Sequence, residues 1–174
     1  MNLVHADARR IVLLVAGLSM VWTLGIFLIP LLQSWDPTTG LLRLIYQPLC
    51  HQDPERSLHL GMWAHAVCAR CCGLYLGGSS GLLWMGMFLA RGQRAPHVGW
   101  LVAAAAPSLL DVAARFAGWP GLPNLPRLVI ALPLGVVLGL LLGFGVADLR
   151  RMVSEERRTP HVSYRLGMLN SRNE

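Results

Sequence analysis

Four cysteines lie close together in the chain, and their spacing is its strongest sign of chemistry. Cys68, Cys71 and Cys72, followed by Tyr75, are spaced i, i+3, i+4 and i+7, so on a helix they share one face. Cys50 lies shortly before them. A Cys-x-x-Cys pair near a helix start forms either a reactive dithiol or two ligands of a tetrahedral metal. Free cysteines also occur as small buried hydrophobic residues, so metal, redox and inert roles are all open.

The neighbours of these cysteines complete a candidate zinc site. Cys50 is followed directly by His51, and three cysteines with one histidine are a known structural zinc set. We therefore predict a metal site, with zinc as the candidate ion, formed by Cys50, His51, Cys68 and Cys71. A carboxylate is the alternative fourth ligand. In a catalytic version with bound water, Glu55 or Asp111 would be the general base.

Charged side chains within or beside apolar sequence form a second candidate group. Asp111 lies inside an apolar run, where an ionisable residue indicates function and needs a partner, here Arg70, Arg115 or Arg127. Arg56, Arg70 and Arg127 are also candidates for binding an anionic ligand or lipid headgroup, because guanidinium groups match phosphate and carboxylate. Structural ion pairing would explain the same residues.

The composition is that of a membrane protein. The 174 residues are 54% hydrophobic and 14% charged, whereas soluble domains carry about a quarter charged residues. The net charge is +6 and every basic residue is arginine. Because the arginines sit at the ends of apolar runs, they indicate membrane flanks rather than nucleic-acid binding.

Four apolar runs are long enough to cross about 30 Å of hydrocarbon as helices. We predict an all-α bundle of four transmembrane helices at about residues 11–32, 64–90, 98–117 and 128–147. They form a single integral membrane domain over residues 1–148, followed by a basic, flexible tail over 149–174. The first run lacks a cleavage site, so we predict that it is retained rather than removed as a signal peptide.

The arginines also predict the orientation of the helices. Arg9 and Arg10 precede the first helix, Arg91 and Arg94 lie between the second and third, and six more follow the fourth. By the positive-inside rule, both termini are cytoplasmic in a multi-pass protein of the cytoplasmic (inner) membrane. The cysteine cluster and the Asp111 end of the third helix then converge on the outer side.

The outer segment between the first two helices is predicted to be partly helical. Residues 41–49 are mostly apolar and suit an interfacial or re-entrant helix. Asp53-Pro54-Glu55 then has the features of a helix start, and that short helix would run to about Leu60, before Gly61.

Glycines recur every fourth residue in the second and fourth predicted helices. These are Gly73, Gly77 and Gly81, and then Gly135, Gly139 and Gly143. Such stripes allow helix backbones to approach closely in lipid, so they favour tight packing and permit oligomerisation.

Several motifs resemble those of a prokaryotic membrane-protein family, domain of unknown function 2085. They are Cys50-His51-Gln52, Pro54-Glu55-Arg56-Ser57 and Cys68-x-Arg70-Cys71-x-Gly73-x-Tyr75-x-Gly77, followed by Pro107, Asp111, Asn124, Arg127 and Gly135. The resemblance covers about residues 40–145 and implies a polytopic membrane protein with a functional polar cluster, without implying an activity. Two residues depart from the family pattern, Val112 in place of glycine and Arg115 in place of glutamine.

Two further functions are compatible with the residues. A membrane thiol–disulfide oxidoreductase would pass electrons between the Cys68–Cys71 dithiol and a quinone, with Cys50 as the resolving thiol. A small transporter or assembly subunit would line a polar path with Asp111 and arginines, and would need to oligomerise. The expected partners are the lipid bilayer and either an anionic lipid or a quinone. Motifs for nucleotide binding, serine hydrolysis and HExxH metalloproteases are absent from the sequence, which leaves open whether the protein is an enzyme.

Overall fold

The computed structural model describes residues 2–88 and 95–156 and is mostly helical. Its four α-helices are α1 (Asn2–Gln33), α2 (Ala69–Phe88), α3 (Val98–Phe116) and α4 (Asn124–Glu156). Between α1 and α2 lie two 3-10 segments, Pro37–Tyr46 and Pro54–Arg56, and an antiparallel hairpin of β1 (Ser57–Leu60) and β2 (Trp63–Cys68). Residues 149–156 of the predicted tail belong to α4, and the rest of the tail lies outside the described residues.

Three of the described helices are long and apolar enough to cross a membrane: Ala6–Gln33, Val98–Phe116 and Asn124–Ser154. Their outer faces carry exposed leucines, such as Leu18 at 71% exposure and Leu110 at 69%, as expected for surfaces in contact with lipid. Helix α2 does not meet that criterion, so the predicted count of four spans stays a prediction.

Helix α2 packs against both α1 and α4. Its buried side includes Gly73, Gly77, Gly81 and Ser79. A Cβ added to Gly77 would lie 2.8 Å from the Val136 backbone nitrogen and 3.0 Å from the Gly135 Cα. Backbone therefore packs on backbone along α2 and α4, and the close approach predicted from the glycine spacing is confirmed.

Hydroxyl groups join α2 to α1. The Ser79 Oγ lies 2.8 Å from the Ser19 Oγ and 2.8 Å from the Thr23 Oγ1, and Thr23 also donates to the Ser19 carbonyl at 2.8 Å. Because Thr23 and Ser79 are buried, these bonds satisfy polar groups that neither water nor lipid reaches.

The helix predicted to run from Asp53 to about Leu60 is instead one short 3-10 turn followed by the strand β1. The Asp53 carboxylate does accept the Glu55 backbone N–H at 3.0 Å, so the predicted cap is present. The 3-10 turn ends at Arg56, however, and Ser57 turns into extended backbone that pairs with Cys68. Gly61, with φ of +61°, lies in the turn that connects β1 to β2.

The predicted start of the second helix at residue 64 is therefore wrong, and the predicted all-α class is confirmed only as a mostly helical fold, because a small two-stranded sheet is also present. Residues 64–68 belong to β2, and α2 begins at Ala69. The short apolar run of β2 is buried between α1 and β1. A short apolar run of this kind can be buried as a strand or as a helix, so its hydrophobicity alone does not distinguish the two.

The Pro37–Tyr46 segment folds against α1. Asp36 caps the Pro37–Tyr46 segment by accepting the Thr38 backbone N–H at 2.9 Å, and the Tyr46 hydroxyl donates to the Trp22 carbonyl at 2.8 Å. Leu41 and Ile45 are exposed on this segment. Its predicted interfacial or re-entrant position in the membrane stays a prediction.

Candidate functional site

Three of the four cysteines meet at one end of the helix bundle, which we call the cysteine end. Cys50 follows the first 3-10 segment, Cys68 is the last residue of β2, and Cys71 lies in the first turn of α2. Their three Sγ atoms lie within 4.8 Å of one another. A tetrahedral ion with zinc–sulfur bonds of about 2.3 Å holds its sulfurs roughly 3.8 Å apart. The three sulfurs can therefore reach one ion with small movements.

Local hydrogen bonds favour the thiolate form of Cys68, and the same Cys68–Cys71 hydrogen bond, together with burial, raises the pKa of the Cys71 thiol that donates it. The Cys68 backbone N–H donates to the Cys50 Sγ at 3.2 Å, which ties the two chain segments together. A hydrogen bond from the Cys71 side chain, the largest influence, outweighs the opposing effect of burial and lowers the pKa of Cys68 to about 5. The thiolate is the form of cysteine that binds metals and attacks disulfides.

The other predicted or neighbouring ligands lie elsewhere. Cys50 is buried, whereas His51 beside it is exposed. Among the described residues, the ring nitrogens of His51 are not part of the group formed by the three sulfurs. Cys72 is fully buried outside this group of three sulfurs, and its thiol donates to the Val67 carbonyl at 3.8 Å. Within the part of the chain that the structure describes, the cluster consists of three cysteines.

Asp111 is the centre of a buried ionic network that joins α2, α3 and α4. Its Oδ2 pairs with the Arg70 guanidinium and lies 3.5 Å from the Arg127 Nε. Its Oδ1 accepts the Leu122 backbone N–H at 3.0 Å. Both carboxylate oxygens are thus engaged, and the predicted partners Arg70 and Arg127 are the ones present.

Asn124 fastens the hairpin region to α4. Its Nδ2 donates to the Glu55 carbonyl at 3.0 Å and to the Ser57 carbonyl at 2.9 Å, and its Oδ1 lies 3.4 Å from the Arg127 guanidinium. One side chain therefore connects the Asp53–Ser57 turn to the ionic network.

Two cavities lie beside this network and share Arg56 and Arg115 in their walls. The first, of about 410 Å³, is also lined by Glu55, Asn124 and Arg127. The second, of about 350 Å³, is completed by Arg70, Val112 and Phe116. The structure thus places Glu55 in one cavity with Arg56 and Arg127, and it places Arg70, the third arginine predicted to contact anions, in the neighbouring cavity. Neither Glu55 nor Asp111 belongs to the cysteine group among the described residues.

Comparison with known proteins identifies the family. A family model described as a predicted membrane protein (DUF2085) matches residues 50–141. The chain belongs to this family. An uncharacterized protein of Methanocaldococcus jannaschii is 28% identical over 107 residues, which cover 57% of this chain and 69% of the archaeal protein. No solved structure matches the chain.

Membership in DUF2085 confirms the resemblance found from the motifs, and the matched region holds the cysteine cluster, Asp111 and Arg127. Sequence reasoning missed the tethering role of Asn124, for which its presence in the family motif was the available signal. It also missed the position of Val112 and Arg115, the two departures from the motif, which both line the 350 Å³ cavity.

Proposed function

We propose that this membrane protein binds one metal ion, zinc in preference to others, through the thiolates of Cys50, Cys68 and Cys71. The observation that carries the proposal is the meeting of three sulfurs from separate segments within 4.8 Å of one another. Thiolate ligands select soft or borderline ions, and zinc accepts tetrahedral sulfur sites without a redox change.

Three thiols fit a metal better than they fit a disulfide. A disulfide would join two of them and leave the third beside the bond, whereas a metal uses all three. The fourth tetrahedral position is then held by water or by a non-cysteine side chain, and His51 is the nearest such residue in the sequence. Three protein ligands with one exchangeable position are typical of catalytic rather than closed structural zinc sites.

Asp111 acts in this proposal as a positioning residue. Its oxygens are engaged by Arg70, Arg127 and the Leu122 N–H, and the two guanidinium charges stabilise the ionised carboxylate, which makes it a weak proton acceptor. By holding Arg70, which lies between Cys68 and Cys71, it fixes the first turn of α2 that supplies Cys71.

We further propose that the cysteine end faces away from the cytoplasm in a four-span protein. Arg9 and Arg10 lie at the opposite end of α1 from Cys50, and Arg150 and Arg151 lie at the far end of α4. A green fluorescent protein fused to the C-terminus should therefore fluoresce, and an alkaline phosphatase fused there should be inactive. The reverse pattern would refute this orientation.

Elemental analysis tests the metal site. Protein purified in a neutral detergent without a metal-affinity tag should contain about one zinc per chain. Cys50→Ser, Cys68→Ser and Cys71→Ser should each lose it. Cys72→Ser is the matched control, because Cys72 adjoins the cluster without belonging to it, and this variant should retain the ion.

Absence of metal from the wild type, or equal loss in Cys72→Ser, would contradict the proposal. The low pKa of Cys68 favours thiol–disulfide exchange as the second candidate function. A metal-free protein that carries a Cys68–Cys71 disulfide, detected by mass spectrometry after alkylation, would support that alternative instead.

A further inference from the structure

The arginines beside the ionic network form a cavity that the metal site does not use. Arg56 comes from the turn before β1, Arg70 from α2 and Arg115 from α3. All three line the 350 Å³ cavity, and among the residues that the structure describes no carboxylate contributes to its wall. Three guanidinium groups gathered in this way repel one another unless an anion lies between them.

The nearby carboxylates neutralise only part of this positive charge. Arg56 pairs through its Nε with Asp53 at 3.0 Å, and Arg70 shares the single carboxylate of Asp111 with Arg127. Arg115 makes no ion pair with any carboxylate in the described ranges 2–88 and 95–156. The Arg70 Nε is buried without a hydrogen-bond acceptor there, so a donor is available for a bound oxyanion.

A glycine makes room for two of the arginines. A Cβ added to Gly121 would lie 2.7 Å from the Arg115 Cδ and would touch the Arg127 guanidinium. Glycine at this position therefore allows Arg115 and Arg127 to lie side by side along the loop between α3 and α4. The close packing of both arginine side chains against Gly121 indicates a defined binding site rather than scattered surface charge.

We propose that this cavity, lined by Arg56, Arg70 and Arg115, binds the phosphate group of an anionic ligand. Guanidinium groups bind phosphate oxygens through paired N–H donors, and several of them match a tetrahedral dianion better than a single carboxylate. Phe116, at the cavity wall, is 89% exposed, and Trp119 nearby is 72% exposed. Exposed aromatic side chains at a helix end are typical of the lipid–water interface, so the phosphate can come from a phospholipid headgroup or from a soluble ligand.

The site is separate from the metal site. Arg70 lies between Cys68 and Cys71 in sequence, but its guanidinium pairs with Asp111 on α3. The cysteines contact a different part of the chain, because the Cys68 backbone N–H donates to the Sγ of Cys50. Substitutions at Arg115 or Gly121 leave Arg70 and the cysteines unchanged, so they test phosphate binding independently of metal binding.

Two binding measurements on the full chain test the proposal. In a neutral detergent, calorimetry would follow titration with inorganic phosphate. In nanodiscs of phosphatidylcholine, native mass spectrometry would count retained phosphatidylglycerol when that lipid is added. Arg115→Gln is the main variant, because Arg115 is exposed and its replacement should not disturb folding. We expect Arg115→Gln to bind each probe that the wild type binds about tenfold more weakly, which is the effect of losing one charge-assisted hydrogen bond.

Two further variants separate a built site from general attraction to positive charge. Arg43→Gln removes the same charge from the outer segment but lies outside both cavities, and it should change binding by less than about twofold. Gly121→Ala keeps every charge, yet should weaken binding because its Cβ displaces Arg115 and Arg127.

Each outcome decides the matter. Binding of both probes, weakened by Arg115→Gln, would support a site for the phosphate group itself. Binding of phosphatidylglycerol alone would support the site and identify the headgroup as its source, and binding of inorganic phosphate alone would identify a soluble ligand. Binding of neither probe, or equal weakening by Arg115→Gln and Arg43→Gln, would overturn the proposal.

Discussion

Replacing Gly77 with alanine should separate α2 from α4 and destabilise the protein by about 2 kcal/mol. The added Cβ would lie 2.8 Å from the Val136 nitrogen and 3.0 Å from the Gly135 Cα, and closer still to the Leu132 carbonyl oxygen. Because all three are backbone atoms, none can rotate away. Relief requires the helices to move apart by roughly 0.5–1 Å, which forfeits a quarter to a half of the dispersion energy at the neighbouring contacts.

The magnitude follows from two opposing effects. Overpacking a well-packed interior costs about 1–3 kcal/mol, and the upper end applies where backbone atoms are the obstacle. Alanine recovers about 0.5–1 kcal/mol over glycine within a helix. The net loss of about 2 kcal/mol should appear as a lower midpoint of unfolding by sodium dodecyl sulfate, followed through tryptophan fluorescence in dodecyl maltoside micelles.

Gly78→Ala is the matched control. A Cβ on Gly78 would meet only the Gly135 carbonyl oxygen at 3.8 Å, an ordinary contact. This variant should therefore leave the unfolding midpoint unchanged or raise it slightly. Equal effects of the two substitutions would refute the close packing of α2 on α4.

Three other substitutions probe the polar contacts. Asp111→Asn should lower the free energy of unfolding by about 3–5 kcal/mol, because it leaves the buried Arg127 charge uncompensated; a loss below about 1 kcal/mol in the same unfolding assay would contradict the network. Asn124→Ala removes two hydrogen bonds to the turn before β1, so amide exchange of residues 55–60 should accelerate, and unchanged protection would disprove the tether. Thr23→Val breaks the contact with Ser79 and should cost about 0.6–1.7 kcal/mol, whereas a neutral effect would show that this bond contributes nothing.

The packing of the helices could be predicted from local features of the sequence. The glycine stripes of α2 and α4 show which helix surfaces approach closely, because only glycine leaves room for a neighbouring backbone. Likewise, Asp53 was recognisable as a cap because the signal lies within three residues. In both cases the physical cause is contained in the spacing of a few neighbouring residues.

The hairpin could not be predicted, since its signal is ambiguous. Residues 64–67 are a short apolar run that suits a strand or a helix, and the partner strand that decides the matter is supplied by Ser57–Leu60. Counting this run toward a membrane span also made the second helix look longer and more apolar than α2 is.

The grouping of the three cysteines follows from their spacing in the sequence, whereas His51 as the fourth ligand stays a prediction. Cys50, Cys68 and Cys71 meet as their motif implies, whereas His51 is exposed beside the buried Cys50. Adjacency in sequence does not determine where two side chains point outside regular structure. The arginine cavity was harder still to foresee, because it depends on how α3 and the α3–α4 loop return to the hairpin.

X-ray absorption at the zinc edge of the purified protein tests the central claim most directly. We expect three sulfur neighbours at about 2.3 Å and one nitrogen or oxygen neighbour at about 2.0–2.1 Å. Each of Cys50→Ser, Cys68→Ser and Cys71→Ser should remove this signature, and Cys72→Ser should preserve it. Four sulfur neighbours, or a shell made only of nitrogen and oxygen, would contradict a three-cysteine site.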